Sequence, residues 1–409
     1  MFENNRKKLI ESMKENSLLI LFAGSAPYRS ADQVYKFTPN RNFYYLTGID
    51  EPNVIVTILK TDKEDIETVY VEREDELMAK WVGRAISKDE ASEVSGIKST
   101  KYLDEFDSTI SSYIDKRGIS KIYLDLERQS INIPSTKAQD MANTLRVKYP
   151  HLKIKNIFHN IAKLRMVKND REVELIQKAI GITKEGILAM AKNLTPGMKE
   201  YEVEAYFDFK IKSLGASAHA FSTICAAGKN ATVLHYEDNN QEAKDGDLIL
   251  FDLGAEYDYY CSDISRTIPI NGKFTDRQKQ IYQIVLNAMK EVEKNTKPGL
   301  TLADLNNIAK KALAKGCMEI GLIEKEEEIG KYYFHSVGHS LGLDTHDVWI
   351  VDSKLEEGAV ITNEPGLYIE EEGIGIRLED DLLVTKDGCI NLSKDIPVEI
   401  EYIEALMNK

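Results

Sequence analysis

The chain has 409 residues, of which 43% are hydrophobic and 29% are charged, a composition typical of a folded protein rather than a disordered one. This length exceeds what one ordinary hydrophobic core holds, and it predicts two domains. The net charge of −14 repels phosphate backbones, so nucleic acid is excluded as an expected partner.

Residues 1–158 alternate segments typical of strands with segments typical of helices. Charged stretches at residues 72–80 and 137–148 are compatible with helices. The short apolar or β-branched runs that predict strands are residues 18–23, 54–59, 68–71 and 121–126. We therefore predict an α/β domain over residues 1–158.

Cysteine usage and hydropathy indicate the compartment. The four cysteines show no CxxC spacing, which predicts reduced thiols in a cytoplasmic protein. The run at residues 18–23 is short for the core of a secretory signal, and Glu11 and Glu15 precede it, so a buried strand is the better interpretation. No stretch reaches the roughly 20 apolar residues of a membrane span, and no membrane partner is expected.

A second domain over residues 159–409 shows a pattern used twice. A long amphipathic helix is predicted to begin at Asn169 or Asp170, either of which can cap it. Further along, Pro196-Gly197 and Pro298-Gly299 each precede a predicted helix, and each helix is followed by strands that carry two acids. Prolyl-glycine turns are common, so the evidence for a repeat comes mainly from the acid-bearing strands that follow each helix.

The first pair of acids lies in residues 248–270, which read as two apolar strands around a turn. We place that turn at Tyr257-Asp258. With that turn, Asp252 lies directly opposite Asp263, with Cβ atoms about 5 Å apart. This interpretation predicts two facing carboxylates on a buried sheet.

The second pair follows the same logic. A turn at Glu371-Glu372 places Glu364 opposite Glu379. Like charges that face each other on a buried sheet are unfavourable unless one acid holds a proton or a cation lies between them. Four converging carboxylates favour the cation, and they favour two divalent cations because one would leave excess negative charge.

Histidine usage supports a metal site. Only seven histidines occur, and His335, His339 and His346 fall within the stretch FHSVGHSLGLDTHDV just before the second acidic hairpin. Each could be a structural histidine, and the spacing alone does not choose among them. His235 follows an apolar run and could reach the same cleft. A carboxylate-rich site with one imidazole favours manganese or iron, with cobalt or zinc as alternatives.

A carboxylate-bridged metal pair predicts hydrolysis. Such a pair lowers the pKa of a shared water and polarises a carbonyl group, which suits cleavage of an amide or ester. The chain has no GxSxG elbow, no P-loop, no HExxH and no cysteine–histidine signature. The sequence therefore favours a metal-dependent hydrolase.

At these residues the sequence resembles the creatinase/aminopeptidase P/prolidase family, over about residues 160–409. The matching segments are Val233-Leu234-His235-Tyr236, Asp252-Leu253-Gly254, Ser262-Asp263-Ile264-Ser265-Arg266-Thr267, the segment from His335 to His339, Gly342-Leu343-Asp344-Thr345-His346-Asp347, Asn363-Glu364-Pro365-Gly366 and Arg377-Leu378-Glu379-Asp380. The resemblance implies an α+β protein: an N-terminal α/β creatinase-like domain followed by a pita-bread metallopeptidase domain with a pseudo-twofold repeat.

The resemblance also implies residue roles. It assigns a dinuclear metal site, with manganese as the expected metal for this donor set, to Asp252, Asp263, His339, Glu364 and Glu379. Glu364 is further implied as the general base for the metal-bridging hydroxide, His346 as the group that stabilises the tetrahedral intermediate, and His235 as a substrate contact. His335 and Arg377 match positions that line the pocket for the residue after the scissile bond, and Tyr368 is a further candidate there.

The first domain resembles the N-terminal domain of the same family through the segment NFYYLTGIDEPN, with Ala31-Asp32 at similar spacing before it. The segment around Trp81 resembles one that can reach a neighbouring subunit's active site, which implies a homodimer or homotetramer. Asp32 is implied to couple to Arg377 in proton relay. Phe221 occupies a position where relatives can have tyrosine, and we interpret it as an apolar wall of the cleft.

The resemblance implies Xaa-Pro aminopeptidase activity: release of an N-terminal residue from peptides with proline at the second position. A prolidase, which accepts only dipeptides, shares the same site and is the first alternative. A metal-free binding protein on the same fold is a rival of another class, although such relatives generally lose ligands. Methionine aminopeptidase and creatine-type hydrolysis have less support. The native metal, the residue preferred before proline and the oligomeric state are left open.

Overall fold

The computed structural model describes residues 1–407 and shows two compact units, Met1–Arg165 and a second that begins at Met166. The first unit is built on a six-stranded mixed sheet in the order β6-β5-β4-β1-β7-β8. A separate short hairpin, β2-β3, carries Asp32 in its turn. The strands are β1 Ser17–Phe22, β2 Tyr28–Ser30, β3 Gln33–Val34, β4 Ile55–Lys60, β5 Asp65–Val71, β6 Ser99–Tyr102, β7 Lys121–Leu124 and β8 Lys153–Asn156.

Buried β-branched and leucine side chains hold this sheet together. Strand β1 has almost no exposed side chain and lies between an antiparallel neighbour, β4, and a parallel neighbour, β7. A strand with neighbours on both edges and cover on both faces reads as a continuous apolar run. The four strands predicted from such runs in this unit are confirmed as β1, β4, β5 and β7.

Seven helices accompany the sheet. The predicted helix at residues 137–148 is confirmed as α6, and Thr136 caps it by accepting a hydrogen bond from the backbone N–H of Gln139. The charged stretch at residues 72–80 forms α3 in its second half. The helices are α1 Phe2–Ser12, α2 Arg41–Thr47, α3 Glu76–Val82, α4 Lys88–Ser95, α5 Phe106–Arg117, α6 Lys137–Lys148 and α7 Phe158–Arg165.

The second unit begins with the long amphipathic helix predicted from sequence. Asn169 is its N-cap, and its side chain accepts hydrogen bonds from the backbone N–H groups of Arg171 and Glu172, so the predicted start is confirmed. Ile176, Ile180 and Ile187 lie on its buried face. The helices of this unit are α8 Asp170–Asn193, α9 Glu200–Ser213, α10 Asp276–Asn295, α11 Leu302–Glu319 and α12 Ile400–Met407.

The strands of the second unit form small antiparallel sheets that repeat one plan. In sheet β10-β11-β14, strand β11 contains Asp252, and in sheet β15-β18-β19, strand β15 ends one residue before Glu364. The pairs β12-β13 and β16-β17 continue the two hairpins. The strands are β9 Ala218–His219, β10 Ile224–Ala227, β11 Leu248–Leu253, β12 Ala255–Tyr257, β13 Tyr260–Cys261, β14 Ile264–Pro269, β15 Val360–Asn363, β16 Gly366–Ile369, β17 Ile374–Arg377, β18 Asp380–Val384 and β19 Cys389–Asn391.

The two prolyl-glycine turns are equivalent in conformation. Gly197 and Gly299 have φ of 92° and 90°, in the left-handed region that favours glycine, and each directly precedes a helix, α9 or α11. The backbone N–H of Gly197 donates to Ala243, and that of Gly299 donates to Leu355. The repeat therefore extends from the turns to the strands. Among residues 1–407, no helix is both long enough and apolar enough to cross a membrane.

Candidate metal centre

The first acidic hairpin turns one residue later than predicted. Asp258 and Tyr259 both have positive φ, 48° and 67°, which is the backbone of a two-residue type I′ turn. Asp252 consequently pairs with Ser265 rather than directly with Asp263. The register prediction was wrong by two residues, but a shift of two leaves each side chain on its original face. Asp252 and Asp263 therefore remain neighbours on a diagonal.

The register predicted for the second acidic hairpin is confirmed. Asn363 pairs with Asp380 and Gly366 with Arg377, so Glu364 and Glu379 occupy facing positions between these two pairs. The loop is longer than the predicted two-residue turn: Glu370–Glu372 form a short 3-10 helix that Gly373 closes. Because the extra residues are added symmetrically, the register is unchanged.

His339 reaches the acids from the loop before β15. Its backbone N–H donates to Thr362 Oγ1 at 3.0 Å, and its Nδ1 lies 3.1 Å from the carbonyl oxygen of Ser340. A carbonyl oxygen only accepts, so Nδ1 carries the proton and Nε2 is left as a lone-pair donor. That Nε2 atom lies 3.4 Å from Asp263 Oδ2 and 3.5 Å from Glu364 Oε1.

The close approach of this loop to β15 requires a glycine. A Cβ atom on Gly338 would lie 2.1 Å from the carbonyl oxygen of Thr362, well inside van der Waals contact. The residue before His339 must therefore lack a side chain.

The acidic group has the properties of a cation site. Ligand atoms of Asp263, His339 and Glu379 all lie within 4.8 Å of one another, the one such group of three or more among residues 1–407. In the described part of the chain, the buried atoms without a hydrogen-bond partner include Asp252 Oδ1, Asp263 Oδ1 and Glu379 Oε1. Buried carboxylate oxygens are normally satisfied, so these oxygens are free to bind metal. The donor set fits divalent cations.

Burial dominates the electrostatics of these acids. It raises the pKa of Asp263 well above the usual carboxyl range, and the neighbouring charge of Asp252 raises it further. Burial likewise raises the pKa of Glu379, with Asp263 as the next cause. The pKa of Glu364 is also raised by burial, while His339 and Arg377 act in the opposite direction. A cation between the acids would remove this penalty by stabilising their ionised forms.

Arg377 connects Asp252, one of the acids of the centre, to the Tyr368 hydroxyl. Its Nη2 lies 2.6 Å from Asp252 Oδ2, its Nη1 donates to the Tyr368 hydroxyl at 3.0 Å, and its Nε donates to Ser265 Oγ at 2.9 Å. Ser265 Oγ in turn donates to Glu379 Oε2 at 2.8 Å. The buried guanidinium therefore contacts residues of both acidic hairpins: Asp252 and Ser265 in the first and Tyr368 in the second.

The Tyr368 hydroxyl lies between Arg377 and His335 and forms a hydrogen bond with each. It accepts from Arg377 and lies 2.9 Å from His335 Nε2, while His335 Nδ1 lies 2.8 Å from the carbonyl oxygen of Ser336. His335 must then be protonated at Nδ1, so its Nε2 accepts a hydrogen bond from the Tyr368 hydroxyl. Burial lowers the pKa of His335 to about 4 and raises the pKa of Tyr368 to about 12. Both groups are neutral near pH 7.

His346 and His235 complete the polar rim. The His346 ring centroid lies 4.3 Å from that of His339. Partial burial lowers the pKa of His346, and the charges of His339 and His235 lower it further. His235 also acts on the pKa of His335 and is itself exposed after a short 3-10 helix, Gly228–Thr232. The structure thus brings His346 and His235 close to His339 at the acidic centre.

Of the remaining predicted site residues, one lies in the second unit and two lie in the first. Phe221 is half-buried between β9 and β10. Asp32 lies in the turn of the β2-β3 hairpin and Trp81 lies on α3, both in the first unit. Their roles stay predictions.

Two polar residues at the centre escaped the sequence analysis. Ser265 links Arg377 to Glu379, and it would have been found had the first turn been placed one residue later, because it then faces Asp252. Asp381 is fully buried, and its Oδ2 accepts from the backbone N–H of Asp263 at 3.3 Å. Its position two residues after Glu379 in a strand was a usable signal.

Comparison with known proteins places the chain in a family. Residues 174–386 match metallopeptidase family M24, and residues 2–123 match the aminopeptidase P N-terminal domain. The Xaa-Pro aminopeptidase of Haemophilus influenzae is 31% identical and covers 100% of this chain and 97% of its own length. The Xaa-Pro dipeptidase of Pyrococcus horikoshii is 33% identical and covers 95% of this chain and 96% of its own.

A solved structure from Bacillus anthracis, assigned to aminopeptidase P, is 55% identical, with a TM-score of 0.98 over 99% of this chain and 97% of that one. These matches confirm the predicted α+β class, with an N-terminal domain of the aminopeptidase P type followed by a pita-bread domain. The chain therefore belongs to metallopeptidase family M24, and it is a metallopeptidase.

Proposed function

We propose that the protein is an Xaa-Pro aminopeptidase, which releases the N-terminal residue from peptides whose second residue is proline. The observation that carries this proposal is that one side chain, Arg377, connects the acidic, histidine-containing centre to the Tyr368 and His335 side chains. Both curated relatives described above have Xaa-Pro in their names, which supports proline at the second position.

Metal is expected at the acidic centre. Two divalent ions would acidify a water molecule and polarise the scissile carbonyl when bound. Four carboxylates with one imidazole favour manganese or iron over softer ions, and cobalt or zinc remain alternatives. The residues that would hold the ions are Asp252, Asp263, His339, Glu364 and Glu379.

Three side chains of this protein would have separate roles in the reaction. Glu364, whose carboxyl pKa is raised by burial, would accept the proton from the attacking water, since a base with a raised pKa is better matched to neutral pH. His346 would donate a hydrogen bond to the carbonyl oxygen as negative charge develops there. His235 would hold the substrate from the opposite rim.

The pocket formed by His335, Tyr368 and Arg377 suits a proline ring. Proline has no backbone N–H and its ring fixes φ, so its recognition depends on shape and apolar contact rather than on a donor. The Tyr333 ring packs edge-on against His335, with centroids 4.8 Å apart, and the neutral rings present apolar surface. Phe221 would extend the apolar wall.

The length of the accepted peptide separates the two closest functions. Xaa-Pro dipeptidase is the second candidate, because the Pyrococcus horikoshii relative covers almost the whole chain. We expect the manganese-loaded protein to cleave a Xaa-Pro-Yaa tripeptide at the Xaa–Pro bond. The measurement is release of the N-terminal residue, with a Xaa-Ala-Yaa tripeptide as the control for proline. Cleavage confined to the Xaa-Pro dipeptide would replace our proposal with the dipeptidase.

We also propose self-association through helix α3. None of its side chains is buried, and it exposes Leu77, Met78, Trp81 and Val82, the last two at 80% and 77%. A contiguous apolar patch on a soluble protein marks an interaction surface. A second copy is the occupant we propose, as a homodimer or homotetramer in which Trp81 would reach the active site of a neighbouring subunit.

Replacing Leu77 and Trp81 together with serine should therefore weaken assembly. We expect the variant to be smaller than the wild type in light scattering at micromolar concentration, because about 200 Å² of apolar surface per large aromatic side chain is lost from the interface. Val147, which is exposed on α6, provides a matched control as Val147→Ser. An unchanged mass for the double variant would rule out α3 as the interface.

The cysteines support a cytoplasmic protein. None of Cys225, Cys261, Cys317 and Cys389 forms a disulfide, and the first three are buried. Persistent free thiols are typical of a reducing compartment.

A further inference from the structure

A buried lysine lies beneath the loop that carries two of the site histidines. Lys168, just before α8, forms an ion pair with Asp347 at 3.1 Å, and the side chains of both residues are only 1% exposed. Charged residues are rarely buried to this degree unless they are paired. The pair takes no direct part in the proposed reaction, so its placement needs another explanation.

Lys168 contacts the residue that follows each histidine. Its Nζ lies 3.1 Å from Asp347 Oδ2, directly after His346, and 3.4 Å from Ser340 Oγ, directly after His339. The backbone N–H of Asp347 also donates to the carbonyl oxygen of Ser340 at 2.9 Å. One cation thus connects the two points from which the histidine side chains project.

The packing around the pair leaves little room for movement. A Cβ on Gly342 would lie 2.3 Å from Asp347 Oδ2 and 2.9 Å from Lys168 Cε, so the loop closes tightly over the ion pair. The backbone N–H of Lys168 donates to Gly358, which fixes the lysine from the other side. Glu172, the other buried acid nearby, accepts a hydrogen bond from Tyr260 at 3.0 Å.

We propose that the Lys168–Asp347 ion pair is a positioning device that fixes the spacing between His339 and His346. This inference rests on the proposed function, in which one histidine binds metal and the other stabilises charge on the substrate. The rings meet edge to face with their centroids 4.3 Å apart, and they lie on a loop without regular secondary structure. Lys168 thereby reinforces the backbone hydrogen bond between Asp347 and Ser340, which joins the same two points of the loop.

The test compares Lys168→Met with the double variant Lys168→Met/Asp347→Leu. The single variant removes the cationic partner of a buried carboxylate and should unfold at a lower temperature, whereas the double variant replaces the pair with apolar groups and should recover most of that loss. We expect kcat to fall about 10²-fold in both, because a misplacement of about 1 Å has that effect. KM should change little.

Two readouts are independent of substrate. Mn²⁺ binding to the metal-free double variant, measured by calorimetry, should be about 10-fold to 100-fold weaker, as for other residues that orient a metal ligand. A crystal structure of the double variant should show a His339–His346 centroid distance different from 4.3 Å. Because neither readout uses a peptide, the positioning role can fail while the peptidase proposal stands, and the reverse also holds.

Lys290→Met is the matched control, because Lys290 on α10 forms an exposed ion pair with Glu399. This substitution should change none of these quantities. A double variant with wild-type kcat, metal affinity and ring spacing would show that the pair only stabilises the fold and would overturn the proposal. Should the double variant fail to fold, Ser340→Ala decides: it removes one Lys168 contact, and wild-type kcat and metal affinity in it would equally overturn the proposal.

Discussion

Asp263→Asn is expected to lower kcat/KM for a Xaa-Pro-Yaa peptide by at least about 10³-fold, because it removes a ligand from the centre on which catalysis would depend. Asn keeps the size of the side chain but offers one neutral carbonyl oxygen in place of an anionic carboxylate. At least one divalent ion should be lost. The measurement combines steady-state kinetics with metal content by atomic emission after dialysis.

The same substitution should not destabilise the metal-free protein. Burial raises the pKa of Asp263, and the neighbouring charges of Asp252 and Asp381 raise it further. Replacing Asp263 with a neutral amide relieves that repulsion, so we expect the metal-free variant to unfold at the wild-type temperature or above. Asp258→Asn is the matched control, since Asp258 is exposed in the turn of the same hairpin and asparagine tolerates its positive φ. Wild-type turnover in Asp263→Asn would refute the assignment of this centre.

Sequence reasoning succeeded where the pattern was local. The cap at Asn169 and the strands of the first unit depend on neighbouring residues or on simple alternation, and the structure confirms them. The second acidic hairpin was placed in the right register although its loop was misjudged, because a symmetric insertion leaves the pairing intact. The turn of the first hairpin was predicted one residue too early. Asp258 and Tyr259 adopt positive φ although neither is a glycine, so the residue types at the turn do not indicate its position.

Contacts between distant segments could not be predicted. The Lys168–Asp347 pair joins residues that are 179 positions apart, and neither residue stands out in its own segment. Ser265 is likewise an ordinary strand residue until the register places it between Arg377 and Glu379. Such groups are defined by packing rather than by spacing, and a single sequence contains no record of which buried polar groups meet.

The stability of the metal-free protein should fall as the pH rises from about 4, the ordinary carboxyl pKa, towards the raised pKa values of the folded protein, the reverse of ordinary acid denaturation. Burial raises the pKa values of Asp263, Glu379, Glu364 and Asp381 in the folded protein. The unfolded chain releases these protons near pH 4, so across this range the folded state binds more protons than the unfolded state. Each unit by which a pKa is raised is worth about 1.4 kcal/mol, present below the unfolded pKa and lost as the pH rises through the folded one.

Metal should invert this dependence, because the ions bind the carboxylates only in their ionised form and bind the folded state preferentially. We therefore expect the unfolding temperature to fall with pH in chelator and to rise with pH in excess Mn²⁺, measured by calorimetry on the same preparation. The variant Asp263→Asn/Glu379→Gln lacks two of the four raised carboxyl groups, so its metal-free curve should be flatter and should respond little to Mn²⁺. If the wild type and this variant showed equal slopes in chelator, the acids of the centre would not be the groups that hold the protons, and their convergence would need an explanation other than metal binding.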